Sequence, residues 1–187
     1  MTGLVRLAFE LQNFFIKENW EFCIIGGVAH QNWGEPRTTQ DVDITLLTGF
    51  GCEEKFVDRL LTQYEGRIES AREFALDHRV LLLKSSNGIG IDIALGGLPF
   101  EEQAVSRSVF VEYAPNLSLR ICSAEDYIIF KSFASRPRDW LDIESVLIRD
   151  QKSLDWDYIL NQLSPLAALK EEPEIVSHLL ALRKSLG

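Results

Sequence analysis

Two aspartates one residue apart, Asp41 and Asp43, stand in the stretch Arg37-Thr-Thr-Gln-Asp-Val-Asp-Ile-Thr-Leu-Leu47, whose second half has the alternating pattern of a β-strand. Because side chains alternate across a strand, carboxylates two residues apart lie on the same face and can share a divalent cation. Upstream, the short apolar run Phe22-Cys-Ile-Ile25 stops at Gly26-Gly27. This pattern predicts a buried strand, a glycine turn and a helix that directly follows the turn.

A third acid, Asp92, lies in another apolar strand pattern, Gly90-Ile-Asp-Ile-Ala-Leu95. An unpaired carboxylate is costly there unless a positive group meets it, and a metal ion is the simplest such group. Three aspartates at one sheet edge suit two divalent cations. Mg²⁺ is the expected ion, with Mn²⁺ as the alternative, because it prefers oxygen ligands and binds carboxylates together with substrate phosphates. The two glycines would let the backbone approach a triphosphate.

Each of these features also has an ordinary explanation. A single Gly-Gly is usually a turn, and a single Asp-x-Asp is more often a solvated strand end than a metal site. For Asp92 the alternative is a strand-end residue that faces solvent, which its position between Ile91 and Ile93 makes less favoured. The order of the features, together with Arg37 and Thr39 between them, favours the metal site.

Composition limits the function classes. The 187 residues suffice for one domain or two small lobes. A net charge of -9 disfavours broad binding to a phosphate backbone. The three cysteines have no Cys-x-x-Cys spacing, which argues against a zinc site or a disulfide framework. Since no apolar window is long enough to span a membrane and no secretory signal is recognisable, we expect a cytoplasmic protein.

Hydrophobic periodicity predicts an α/β lobe over residues 1–122 and a helical lobe over residues 123–187. We expect a mixed sheet with helices mainly on one face. Strands are predicted at 22–25, 41–47, 79–84, 89–95, 109–113 and 117–121. Helices are predicted at 3–18, 28–33, 53–64, 101–107, 127–134, 139–149, 155–163 and 174–186, the last four separated by Pro137, Pro165 and Pro173.

The order Gly26-Gly-Val-Ala29, Arg37-x-Thr-x-Asp41-x-Asp43 and Ile-Asp92-Ile resembles the polymerase-beta-like nucleotidyltransferase superfamily over the first half of the chain. Within that superfamily the pattern is similar to the AbiEii-type branch, which includes toxin–antitoxin nucleotidyltransferase toxins. The segments Ser123-Ala-Glu-Asp-Tyr-Ile-Ile-Phe-Lys131 and Arg136-Pro-Arg-Asp139-x-x-Asp142-Ile resemble the helical part of that branch, in which a lysine and an aspartate lie near the nucleotide.

The resemblance implies a nucleotidyltransferase fold and Mg-dependent transfer of a nucleoside monophosphate from an NTP to a hydroxyl acceptor, with release of pyrophosphate. It implies that Asp41 and Asp43 bind both metal ions, and that Asp92 binds the catalytic ion and helps to deprotonate the acceptor. Lys131 would contact phosphate. The implied nucleotide-binding set is Gly26, Gly27, Arg37, Thr39, Asp139 and Asp142, of which Asp139 or Asp142 would orient Lys131 or the acceptor. One departure is that the usual Gly-Ser of the superfamily is Gly26-Gly27 here, which removes a hydroxyl.

The acceptor stays open at this point. The toxin resemblance favours RNA, such as the 3′ end of tRNA, and would imply a separate antitoxin protein. The acidic composition favours a small hydroxyl compound of the aminoglycoside or lincosamide kind. A third alternative is a silent nucleotide-binding or partner-binding module of the same fold. Use of tRNA would need a basic path formed by Arg37, Lys131, Arg136 and Arg138, and residues 50–78 show no signature for any acceptor.

Overall fold

The computed structural model describes residues 3–186, which divide into two compact units. The first unit runs to Val28 and resumes at Thr38–Cys122. The second combines Ala29–Arg37 with the chain from Ser123 onward. Among the described residues, every helix is too short or too polar to cross a bilayer.

The first unit is built on one mixed sheet with the strand order β3-β4-β5-β2-β1-β7-β6. Strand β2 pairs in parallel with β5, and β1 pairs in parallel with β7, whereas the other neighbours are antiparallel. The strands are β1 Phe22–Ile24, β2 Asp41–Leu47, β3 Glu65–Gly66, β4 Val80–Lys84, β5 Gly90–Gly96, β6 Val109–Ala114 and β7 Leu117–Ile121.

Five helices accompany this sheet or connect its strands: α1 Gly3–Lys17, α2 Gly26–Trp33, α3 Glu53–Leu61, α4 Ala71–His78 and α5 Pro99–Ser106. The apolar stripe of α1, which includes Leu7, Leu11 and Phe15, is buried, and both α1 and α5 contact β2. Burial of each side chain of this size contributes about 1.5–3 kcal/mol to the stability of the fold. The apolar face that the helices cover therefore provides most of the stabilisation of the sheet.

The central strands β2 and β5 separate an apolar face from a polar one. Val42 and Ile44 on β2, and Ile91 and Ile93 on β5, are fully buried. The aspartates alternate with these residues and therefore lie on the opposite face. A slip of one residue would put the carboxylates into the core, so the hydrophobic pattern fixes the register that positions the site.

The second unit is helical. It contains the larger part of α2 together with α6 Ala124–Ala134, α7 Pro137–Asp150, α8 Trp156–Leu169 and α9 Glu174–Leu186, and α6 packs against the other three C-terminal helices. Ser123 caps α6: its hydroxyl accepts the backbone N–H of Asp126 and donates to the Asp126 carboxylate at 2.7 Å.

The predicted fold class is confirmed as a mixed α/β fold with a helical C-terminal part. Three local predictions were wrong. Helix α2 begins at Gly26 instead of Val28, although Gly26 has the positive φ of the predicted glycine turn, and Pro165 lies inside α8 instead of ending a helix. The segment that contains β3 and α4 was left without elements, because β3 has only two residues and the buried residues of α4 are the small Ala71 and Ala75.

Candidate metal and nucleotide site

Three carboxylates converge on the polar face of the sheet in the first unit. In the parallel register of β2 and β5, Asp43 is opposite Asp92 and Asp41 is opposite Gly90. Each aspartate offers an oxygen atom, and these atoms all lie within 4.8 Å of one another. Like charges at this distance repel strongly in a half-buried position, so the arrangement favours a cation among them.

The donor set fits Mg²⁺ or Mn²⁺. All three groups are hard oxygen ligands, the type that these ions prefer over imidazole or thiolate. In addition, Oδ1 of Asp92 is buried and has no hydrogen-bond partner among residues 3–186. The guanidinium of Arg67 lies 2.7 Å from this oxygen but donates no hydrogen bond to it, so a bound metal ion would satisfy the oxygen better.

The glycine elbow, Gly26-Gly27, lies directly against the aspartates. Gly26 has a φ of +57°, which side-chain-bearing residues rarely adopt, and a Cβ atom there would overlap the carboxylate of Asp43. The N–H of Gly27 donates to Oδ2 of Asp43 at 3.3 Å. The elbow therefore needs glycine at its first position both for its backbone angle and for the space that Asp43 occupies.

Thr39 supplies a hydroxyl at the second position of the elbow. A Cβ atom on Gly27 would overlap Oγ1 of Thr39, so the threonine fills the space in which a side chain at residue 27 would begin. The same hydroxyl donates to Oδ1 of Asp41 at 3.2 Å. Residue 27 is glycine and not serine, but Thr39, in the loop before β2, places its own hydroxyl group at this position.

Arg67 is a charged neighbour of the aspartates that the sequence did not indicate. Its Nη2 atom lies 2.7 Å from Oδ1 of Asp92. Arg67 follows the two-residue strand β3, and its backbone N–H donates to the carbonyl of Leu82, the cross-strand partner of Asp92. The proximity of Arg67 to Asp92 depends on the pairing of residue 67 with β4 and of β4 with β5. These pairings join distant parts of the chain, so the local sequence pattern does not indicate them.

The other predicted site residues form an ionic network inside the second unit. Nζ of Lys131 lies 2.7 Å from Asp139 and 2.9 Å from Asp142. Arg37 makes a two-pronged contact with Asp142, in which Nε and Nη2 donate at 2.6 and 2.7 Å. Arg136 donates to Asp139 at 2.7 Å. Two carboxylates thus bind three cations, which leaves the network with one net positive charge.

The three cationic side chains of this network differ in how much of each is exposed to solvent. The side chain of Lys131 is only 10% exposed and is enclosed by two carboxylates, whereas Arg37 is 25% and Arg136 72% exposed. From the sequence, Lys131 is expected to contact phosphate, with an aspartate to orient it. The structure places both aspartates on Lys131 and leaves the arginines as the members that reach the surface.

The network keeps its carboxylates ionised. Burial alone would raise the pKa of Asp142, but the hydrogen bonds and charges of Arg37 and Lys131 lower it to about 2. The pKa of Asp139 is also lowered, since Arg136 and Lys131 outweigh the effect of its burial.

His30 borders the same network. It is buried, and its Nδ1 atom lies 2.9 Å from the hydroxyl of Tyr127. Burial lowers the pKa of His30, an effect that the charge of Asp142 opposes. His30 is therefore a neutral packing residue near pH 7, in keeping with its place between helices.

The mixed sheet with its helical C-terminal part is a fold shared with solved nucleotidyltransferase-like structures. A solved structure of an antigenic nucleotidyltransferase-like protein from Paracoccidioides brasiliensis matches with a TM-score of 0.52 and 16% identity, over 95% of this chain and 92% of that chain. The lincomycin-bound lincosamide antibiotic adenylyltransferase LnuA matches with a TM-score of 0.50 and 17% identity, over 74% of this chain and 92% of that chain. A comparison with protein-family models finds no match, and neither does a comparison with curated proteins.

Proposed function

We propose that this protein is a metal-dependent nucleotidyltransferase that moves a nucleoside monophosphate from an NTP to a hydroxyl acceptor and releases pyrophosphate. The observation that carries the proposal is the meeting of Asp41, Asp43 and Asp92 within 4.8 Å beside a glycine elbow. The fold shared with the solved nucleotidyltransferase-like structures supports it. NTP-dependent chemistry of this kind would take place in the cytoplasm.

The proposed roles are those that the resemblance to nucleotidyltransferases implies, and the convergence of the three carboxylates supports them. Asp41 and Asp43 would hold two ions jointly, and Asp92 would hold one of them and accept the proton of the attacking hydroxyl. Bound Mg²⁺ supplies the positive charge that activates the acceptor oxygen and neutralises the leaving pyrophosphate. Thr39 and Gly27 would keep the carboxylates of Asp41 and Asp43 oriented, because their hydrogen bonds end on those groups.

In the second unit we assign phosphate binding to the ionic network. Asp142 holds the guanidinium of Arg37 in one orientation through two hydrogen bonds, so that the position of this positive charge is fixed. Lys131 contributes positive charge from within the network, and Asp139 fixes its ammonium group.

For the acceptor, the net charge of -9 supports a small hydroxyl compound over a polyanion. The lincomycin-bound adenylyltransferase among the similar structures points to the same class, an antibiotic-type hydroxyl compound. The 3′ end of tRNA is the second candidate, supported by the resemblance to AbiEii-type toxins in Arg37-x-Thr-x-Asp41-x-Asp43. In that case an antitoxin protein would accompany the chain.

The experiment is a transfer assay with all four α-labelled NTPs, Mg²⁺, and two acceptor panels. One panel contains aminoglycosides and lincosamides resolved by thin-layer chromatography, and the other contains tRNA and total RNA resolved on gels. We expect Mg-dependent labelling of one panel, lost in Asp43→Ala and retained in Asp77→Ala, which changes an exposed aspartate on α4. NTP binding that does not depend on Mg²⁺, with no labelling of either panel, would instead identify a silent module and overturn the proposal.

A further inference from the structure

Arg67 reaches the aspartates from outside the two strands that carry them. Its backbone is hydrogen-bonded to Leu82 on β4, and Leu82 is paired with Asp92 on β5. The side chain therefore crosses one strand before its Nη2 atom arrives 2.7 Å from Oδ1 of Asp92. An arginine that only increased solubility would extend into solvent, whereas Arg67 lies across a strand towards a buried oxygen.

Gly90 provides the space for this guanidinium. A Cβ atom on Gly90 would lie 2.7 Å from Nη1 of Arg67 and 3.4 Å from Cβ of Asp41. Since Gly90 is two residues before Asp92 and opposite Asp41, the guanidinium lies on the same face as the three carboxylates. One amino group is over the glycine and the other is at Asp92.

The contact with Asp92 supplies charge without a well-directed hydrogen bond. Although Nη2 is within 2.7 Å, Oδ1 of Asp92 has no hydrogen-bond partner among the described residues. Hydrogen bonds weaken steeply when the donor is misaligned, whereas a metal ion has no such directional N–H. Arg67 and Asp92 are also 35% and 27% exposed, so water can solvate the guanidinium when it leaves.

We propose that Arg67 is an internal cation that competes with the divalent metal for Asp92. The inference rests on the proposed function, because it takes the three aspartates to be the metal site. In the absence of metal, Arg67 reduces the repulsion among the carboxylates. Binding of the ion displaces the guanidinium from Asp92, and the free energy of that ion pair is subtracted from the metal affinity.

The test uses Mn²⁺ alone, titrated into the full chain and followed by electron paramagnetic resonance of the free ion. Arg67→Gln removes the competing charge. Gly90→Ala keeps the charge but pushes the guanidinium away from Asp92. We expect both variants to bind Mn²⁺ roughly two- to fivefold more tightly than the wild type, the range of a partly exposed ion pair.

Arg72→Gln is the matched control. Arg72 lines the same cleft as Arg67, but pairs with Asp58 at 2.7 Å. The control removes an equal charge nearby and should leave the affinity within error of the wild type. Circular dichroism verifies folding, and Gly90→Ala provides the test if Arg67→Gln does not fold.

Three results would overturn the inference. If Arg67→Gln and Arg72→Gln bind Mn²⁺ more tightly than the wild type by the same factor, the overall charge of the protein would explain the effect, and the contact between Arg67 and Asp92 would not. Unchanged or weaker binding in either Arg67→Gln or Gly90→Ala, with normal binding by the wild type, would show that Arg67 does not compete. Absence of Mn²⁺ binding in every protein would remove the metal site itself, so that failure of the proposed function is distinguishable from failure of the competition.

Discussion

Asp43 and Asp92 are direct neighbours in the parallel register of β2 and β5, although 48 residues separate them in the chain. Two half-buried carboxylates in this position repel each other, and a cation bound between them would relieve the repulsion. Substitution of one of these aspartates should therefore reduce activity without reducing stability.

Asp43→Asn should abolish metal binding and reduce nucleotidyl transfer at least about 100-fold, because metal ions supply several kcal/mol of transition-state stabilisation. The asparagine keeps an oxygen for the N–H of Gly27 and removes repulsion, so the melting temperature should not fall. Label transfer, Mn²⁺ titration and thermal denaturation measure the three effects. Asp77→Asn, at an exposed position of α4, is the control. Transfer by Asp43→Asn at the wild-type rate would disprove the assignment.

Gly26→Ala should damage the site more than the fold. Both Gly26 and Gly51 have positive φ, +57° and +77°, so alanine costs roughly 1–2 kcal/mol of stability at either position. Only at Gly26 does the added methyl group overlap the carboxylate of Asp43, since no atom lies within 4 Å of a Cβ on Gly51. We therefore expect a larger loss in urea unfolding for Gly26→Ala than for Gly51→Ala, and weaker Mn²⁺ binding in Gly26→Ala alone. Equal Mn²⁺ affinities in the two variants would contradict this account.

The sequence was sufficient to predict the elements that carry the aspartates. The bounds of β2 were predicted correctly, because alternation of buried and half-buried residues is a local property that survives folding. Asp92 was found for the same reason, in the apolar pattern that became β5. Their short mutual distance results from the parallel pairing of β2 with β5, which the sequence did not predict.

Contacts between distant parts of the chain were not predictable in this way. Arg67 follows a strand too short to give a pattern, and its contact with Asp92 depends on two pairings made elsewhere in the sheet. The enclosure of Lys131 depends on the packing of α6 against α7, which brings Asp139 and Asp142 onto the same ammonium group. The role of Thr39 beside Gly27 required the three-dimensional path of the loop before β2.

Lys131→Met should destabilise the protein by about 1.5–3 kcal/mol, the usual contribution of hydrogen bonds to charged groups, because Asp139 and Asp142 keep Arg136 and Arg37 as partners. Asp139 and Asp142, 2% and 4% exposed, would each lose a hydrogen-bonded cation, while the methionine has nearly the same volume. Lys152→Met, at an exposed position, should change the free energy of unfolding by less than about 0.5 kcal/mol. Urea denaturation of the two variants measures the difference. A loss below about 1 kcal/mol in Lys131→Met would mean that the network is well solvated, against the burial seen here.

The ionic network should also make the free energy of unfolding depend on pH in the acidic range. The pKa of Asp142 is lowered from its ordinary value of 3.8 to about 2 in the folded protein. A carboxyl with a lowered folded pKa contributes stability that is fully present above the unfolded value and is lost as the pH falls through the folded value. The contribution is about 2 kcal/mol, and it should be lost between roughly pH 5 and pH 2. Asp139 adds a loss of the same sign.

Asp142→Asn isolates this contribution, because the variant cannot titrate at that position. We expect the variant to be less stable than the wild type at pH 7, where Arg37 and Lys131 lose a charged partner. The difference in unfolding free energy should shrink steadily as the pH is lowered from 5 to 2.5, measured by urea denaturation at each pH. His30 also contributes to the difference between the two proteins, because the charge of Asp142 opposes the lowering of the His30 pKa and the variant removes that charge. Parallel stability curves for the two proteins over this range would show that Asp142 is not held ionised by its two cations.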